Sequence, residues 1–184
     1  VQTFPSATLQ NPPFDRIIFG EVPHLRTETQ GATPFERDTR LTADFLQYLD
    51  QKPDKPFFAF LFYDLLHAIS IPAPHRHKFE PSWEYANYMA LSNEMDATPF
   101  FNLYRNCGWY VDSLVGSIVG ELEHKGLLDN SILVITGDHS QEFNENKKNY
   151  WGHGSNYSDA QIHVPFIYYE PGQAPRNYHH TTTH

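Results

Sequence analysis

The chain has 184 residues, with 13 Lys and Arg against 22 Asp and Glu and a net charge of −9 with histidine neutral. That length carries a single domain with a real core. The acidic balance, with no basic run beyond Lys147-Lys148, excludes nucleic acid as a partner, because phosphate binding needs clustered Lys and Arg. The one cysteine, Cys107, excludes an internal disulfide, and no stretch reaches the roughly 20 apolar residues of a membrane span.

Val1-Gln2-Thr3-Phe4 reads as part of a strand. An irregular excursion to residue 33 follows, broken by Pro12-Pro13 and Pro23, with a short strand at Arg16-Ile17-Ile18-Phe19. Residues 34–49 form the first helix: Thr33 caps it, Pro34 occupies its first turn, and Leu41, Phe45, Leu46 and Leu49 make an apolar stripe. Asp54-Lys55-Pro56 turns the chain into residues 57–63, which are apolar on both faces, as in a central strand of a parallel sheet. Residues 64–97 are aromatic and proline-rich, an excursion of the length that usually serves function. Residues 100–125 form the second helix, with Tyr104, Cys107, Val111, Leu114, Val115, Ile118, Val119 and Leu122 at three- and four-residue steps and Gly126 as its stop. Cys107 reads as a buried thiol in that stripe. Strands at 132–136 and 164–169 complete the order. Alternating helices and apolar strands predict an α/β domain with a mostly parallel central sheet and helices on both faces.

The strand Ile132-Leu133-Val134-Ile135-Thr136 ends in Gly137-Asp138-His139-Ser140. A buried strand delivers a carboxylate and an imidazole in this way to the carboxyl edge of a sheet, where open α/β folds place their chemistry. Asp138 and His139 together suit Zn²⁺ or Mn²⁺ better than Ca²⁺. His153, in Trp151-Gly152-His153-Gly154, is close enough in sequence to fold back over the same edge. His67 follows the strand at 57–63 and emerges on that edge if the strands run parallel, with Asp64 placed to orient its imidazole. His75 and His77 read either as an i, i+2 ligand pair or, among Arg76 and Lys78, as part of a basic solvated loop suited to an anionic group. Glu142 and Glu145 add charge without a ligand spacing. Tyr150, Trp151 and Tyr157 flank His153 either as an apolar wall for a ligand or as loop packing.

Taken in order, the block from Gly126 to Ser140, the segment Trp151-Gly152-His153-Gly154-Ser155 and the block from Val164 to Gly172 resemble the sulfatase and phosphoethanolamine-transferase branch of the alkaline phosphatase superfamily. Within it the likeness is closest to the YejM (PbgA)-like, sulfatase-like inner-membrane proteins, and it covers residues 56–184. The resemblance implies an alkaline-phosphatase-like fold, with residues 1–184 the C-terminal part of one sulfatase-like domain truncated at both ends and His184 inside a family block. It implies metal-dependent hydrolysis or transfer of a sulfate or phosphate ester. Asp138 and His139 then hold a divalent ion (Zn, Mn, Mg or Ca), and His67 and His153 are catalytic, holding the transferred group or protonating the leaving oxygen. The nucleophile is expected upstream of this chain, so Thr3, Ser6 and Thr8 are ordinary loop residues. The implied partner is an anionic ester or lipid head group. The implied location is the Gram-negative inner membrane, with the domain facing the periplasm and anchored by a segment outside this sequence. Ser140, where the family usually has Gly, and the loose surroundings of His67 depart from the pattern. The rival expectation is a non-catalytic envelope module of the same fold that binds or regulates lipopolysaccharide or cardiolipin through residues 67–83.

Overall fold

The structure, a computed structural model, describes residues 1–53 and 55–179; the expected turn at Asp54 and the block ending at His184 lie outside the described residues. Strands β1 (Gln2–Pro5) and β2 (Ala59–Phe62) pair in parallel, Gln2 opposite Ala59 and Pro5 opposite Phe62. Parallel neighbours need a crossover of a dozen or more residues, and α2 (Pro34–Asp50) lies within it. The Thr33 hydroxyl accepts from the Glu36 amide at 3.2 Å, which satisfies one of the free donors at the start of that helix. Leu41, Phe45 and Leu49 are buried along one face of α2 and pack with Phe4 of β1. The segment expected as a strand at Arg16-Ile17-Ile18-Phe19 is instead entered by a helical turn, α1 (Phe14–Ile17). Pro12-Pro13 just before it supplies the preset backbone angle of a helix start, and the amides of Arg16 and Ile17 both donate to the Pro13 carbonyl.

Helix α3 (Leu65–Ala68) follows β2 almost at once, its Leu65 and the adjoining Ile69 fully buried. Helix α4 (Thr98–His124) spans two hydrophobic clusters. Its first half places Phe100, Leu103 and Cys107 against Leu65, Ile69, Ile71 and Phe143. Its last turns place Ile118 and Leu122 against Phe4, Leu41, Phe45 and Leu49. Two buried amides on α4 anchor the 64–97 excursion: Asn102 donates to the Pro81 carbonyl, and Asn106 donates to the carbonyls of Arg76 and Phe79 and accepts from the Phe79 amide.

Beyond Gly126, which takes a left-handed φ of 65°, β3 (Leu133–Thr136) pairs with β6 (Phe166–Tyr169), and β4 (Glu142–Phe143) pairs with β5 (Trp151–Gly152). Both pairs are antiparallel. The architecture is α/β, but parallel pairing among the described residues is limited to β1 and β2. Between β3 and β6 the chain runs through the β4–β5 hairpin and the four-residue α5 (Asp159–Ile162), with no long crossover helix of the kind that α2 supplies between β1 and β2. Val134, Phe166 and Ile167 remain more than half exposed, as does Phe58 beside β2, so the apolar strands are not enclosed on both faces here. No helix among the described residues is long and apolar enough to cross a membrane.

Candidate metal centre

Three histidines from three separate segments meet. One ring nitrogen of each of His67, His139 and His153 lies within 4.8 Å of the other two. The rings of His139 and His153 stack with centroids 4.1 Å apart, and His67 stands 4.9 Å from His153 and 6.1 Å from His139. The short helix α3 just after β2 and the loops after β3 and β5 deliver them, as expected for chemistry gathered outside strand ends.

Each imidazole is oriented from behind. His139 Nδ1 faces the Ser140 carbonyl at 3.1 Å, an oxygen that only accepts. His153 Nδ1 faces the Gln141 Oε1 at 3.1 Å. His67 Nδ1 faces Asp64 Oδ1 at 3.5 Å. With acceptors at all three Nδ1 positions, the proton sits there and the lone pair is left on Nε2, the arrangement that outer-shell acceptors impose on metal-binding histidines. Asp64 is itself fixed: Arg37 Nη2 donates to its Oδ2 at 3.0 Å, and its backbone amide donates to Asp38 at 3.1 Å. Asp38 also accepts from the Leu65 amide at 2.9 Å, so one fully buried carboxylate pins the entry to α3. Burial pushes the Asp38 carboxyl above its ordinary pKa, against the hydrogen bonds that favour its charged form.

His153 titrates below its ordinary range. Desolvation is the main cause, the neighbouring His139 and His67 add to it, and Asp138 opposes it. The neighbouring rings and burial thus favour the neutral form of His153, the form that binds cations. Backbone freedom is also needed at this point. Gly152 and Gly154 on either side of His153 have φ of 79° and 83°, a region that side chains other than glycine rarely adopt.

Asp138 sits at the rim. Its side chain is 71% exposed, its Oδ1 lies 3.9 Å from His139 Nε2, and it accepts from the His139 amide at 3.1 Å. The structure therefore gathers His67, His139 and His153 closely and leaves Asp138 beside them, facing solvent. His75 is elsewhere, against the stacked rings of Phe35 and Tyr110, and His77 lies 3.5 Å from Glu80. Trp151 packs on Phe100 as part of the core, whereas Tyr157 is 92% exposed. The clefts beside Arg26 and Asp44, of about 230 Å³, and beside Ser6 and Arg37, of about 390 Å³, include none of the three histidines.

Sequence reasoning did not identify Gln141, Gln161, Arg37 or Asp38 as supports of the site. Their partners are remote in sequence or depend on loop conformation, and no spacing rule points to them. It gave Glu142 a charge and no partner. In the structure Glu142 is fully buried and accepts from Asn146, Asn156, Ser158 and Gln161.

The donor set fits a divalent cation. Three neutral nitrogen donors with an adjacent carboxylate match the preferences of zinc and neighbouring transition metals, whereas magnesium and calcium favour all-oxygen shells. Comparison with known proteins bears on the fold and the family. No curated protein sequence matches. Among solved structures, the phosphonate monoester hydrolase of Agrobacterium radiobacter superposes with a TM-score of 0.60 at 21% identity, over 79% of this chain and 35% of the hydrolase. The lipoteichoic acid synthase LtaP from Listeria monocytogenes superposes with a TM-score of 0.61 at 16% identity, over 95% of this chain and 44% of the synthase. The chain thus spans less than half the length of either protein, and at such identities the likeness establishes a shared alkaline-phosphatase-like α/β fold. The sulfatase family model matches residues 3–184, nearly the whole sequence, and the chain accordingly belongs to the sulfatase family.

Proposed function

We propose that this chain is the metal-holding part of an enzyme that hydrolyses or transfers a sulfate or phosphate ester. The observation that carries the reading is the convergence of His67, His139 and His153 within 4.8 Å, each with an acceptor behind its Nδ1. Membership in the sulfatase family, whose members are metal-dependent, supports it.

His67, His139 and His153 hold the cation, with Asp138 as the carboxylate at its rim. When bound, the ion neutralises negative charge on the ester oxygens. The chain's own residues set the conditions for this. Neutral imidazoles add no charge of their own, Asp64 is paired with Arg37, and Asp138 offsets only part of a divalent charge, so the site attracts an anionic group. Asp64, held by Arg37 and by the Asp38 carboxylate, keeps the His67 proton on Nδ1 and its Nε2 toward the site. Gln141 does the same for His153. These fixed donors and acceptors need no rearrangement when substrate arrives, which is where positional catalysis of ester transfer gains most. The attacking group belongs, in this reading, to a part of the protein outside residues 1–184.

Calorimetric titration of the full-length protein with Zn²⁺ and Mn²⁺ tests the proposal. The wild type is expected to bind one ion at this site. His139→Ala and His153→Ala are each expected to weaken binding by more than the about 10–100-fold that loss of an outer-shell partner costs, and to abolish turnover of aryl sulfate or phosphodiester substrates. A wild-type protein that binds neither ion, or a His139→Ala protein with unchanged affinity, overturns the reading.

A further inference from the structure

Glu142 has no role in the reaction just described, yet it is the most heavily bonded carboxylate near the site. It is 0% exposed, and its bonds among the described residues come from neutral donors. Its Oε2 accepts from Gln161 Nε2 at 2.7 Å, Ser158 Oγ at 2.9 Å and Asn156 Nδ2 at 3.0 Å, and its Oε1 accepts from Asn146 Nδ2 at 3.1 Å. Four neutral donors, one from the β4–β5 turn and three from α5 and the segment leading into it, therefore solvate a buried charge in place of water.

Gln161, also buried at 3%, carries this anchoring into the site. Its Oε1 accepts from the Gly154 amide at 3.0 Å, and Gly154 follows His153. Its backbone carbonyl accepts from the Ser140 amide at 2.8 Å, and Ser140 follows His139. One residue thus holds the chain just after both histidines. On the other side of His153, Gly152 stands opposite Glu142 in the β4–β5 ladder.

We propose that Glu142 is a positioning residue that acts through Gln161 to set His153 against His139 in the metal centre, an inference that rests on the metal-site reading above. The mechanism is one of polarity. A carboxylate only accepts, so it compels Gln161 to present its NH₂ to Glu142 and therefore its carbonyl oxygen to the Gly154 amide. A neutral amide at position 142 removes that compulsion: Gln161 is then free to turn its NH₂ toward the Gly154 amide, where donor faces donor and the loop lets go.

The test uses the full-length protein with Glu142→Gln, which keeps shape and removes polarity, and Gln161→Met, which keeps volume and removes the link. Hydrogen exchange at the Gly154 amide reads the clasp with no metal present. It is expected to accelerate at least about tenfold in both variants, with the Leu103 amide in the core unchanged. Co²⁺ titration followed by absorption reads the site: both variants are expected to lose about 10–100-fold in affinity with an altered ligand-field spectrum. The double variant is expected to lose no more than the larger single loss, because both act through one link. Gly154 exchange and Co²⁺ spectra matching wild type in either folded variant overturn the proposal, as do additive losses in the double variant. If Glu142→Gln fails to fold, Gln161→Met decides alone. A wild type that binds no Co²⁺ sinks the metal-site reading, while Gly154 exchange still shows whether Glu142 holds the loop.

Discussion

Cys107 and His153 show how burial, which disfavours the charged form, displaces an acid and a base in opposite directions. Cys107 is fully buried on α4, and burial pushes its thiol up to about 12. Thiolate is the reactive form, so iodoacetamide at pH 8 is expected to leave Cys107 unlabelled in the folded chain and to label it fully in denaturant; rapid labelling of the native chain would contradict that packing. His153 is displaced in the other direction, below its ordinary value of 6.5. Above that pH the ring is neutral in both folded and unfolded chains and contributes no pH dependence. As pH falls through 6.5 the unfolded chain takes up the proton first, so stability declines until the folded-state pKa is passed. Without metal, the denaturant midpoint is therefore expected to drop between pH 7.5 and pH 5.5, and to drop less in His153→Gln. Equal drops in the two proteins would mean that His153 titrates as a free imidazole.

At the scale of elements, α4 joins the two cores and thereby the two halves of the site. Its first half packs on Leu65 and Ile69, which flank His67, and on Phe143, which follows Glu142. Phe100 is 1% exposed and meets Trp83, Tyr88, Phe143 and Trp151 ring to ring. Truncating a buried aromatic of this kind costs about 3–5 kcal/mol. Phe100→Ala is thus expected to reduce unfolding free energy by that amount in urea titrations, with the β4–β5 loop loosened first. A loss under about 1 kcal/mol, the level of ordinary surface changes, would show that this cluster contributes little.

For the molecule as a whole, the separation of His67, His139 and His153 along the chain links metal binding to folding. An unfolded chain has no such site, so a bound ion stabilises the folded state by mass action, about 2.7 kcal/mol when free metal is 100 times its dissociation constant. Thermal unfolding is expected to shift upward with Zn²⁺ and to return with chelator, and His139→Ala is expected to show no shift. The effect should also fade in acid, because protons compete for the same nitrogens. A Zn²⁺ shift retained in His139→Ala would place the bound ion elsewhere.

Local pattern alone determined a good part of this protein. The stripe Leu41, Phe45, Leu49 specified α2, the longer stripe through Cys107 and Ile118 specified α4, and the apolar run ending at Asp138-His139 specified β3 and the edge where chemistry gathers. These features are legible because helix and strand periodicity, caps and strand ends depend on neighbours within a few residues. The choice between parallel and antiparallel pairing for β3 and β6 was not legible, since it depends on the path of the whole connection between them and not on either strand. Nor was the short helix at Phe14–Ile17, where Pro12-Pro13 outweighed the β-branched Ile17 and Ile18. His67, His139 and His153 were readable as candidates from their places after strands. That they meet within 4.8 Å while Asp138 turns to solvent was decided by tertiary structure. So were the supports behind them: Arg37 and Asp38 reach Asp64 across 27 and 26 residues of sequence, and Glu142 finds Gln161 across 19. Contacts of that range are selected by packing and by the need to satisfy buried charge, which residue type and spacing do not encode.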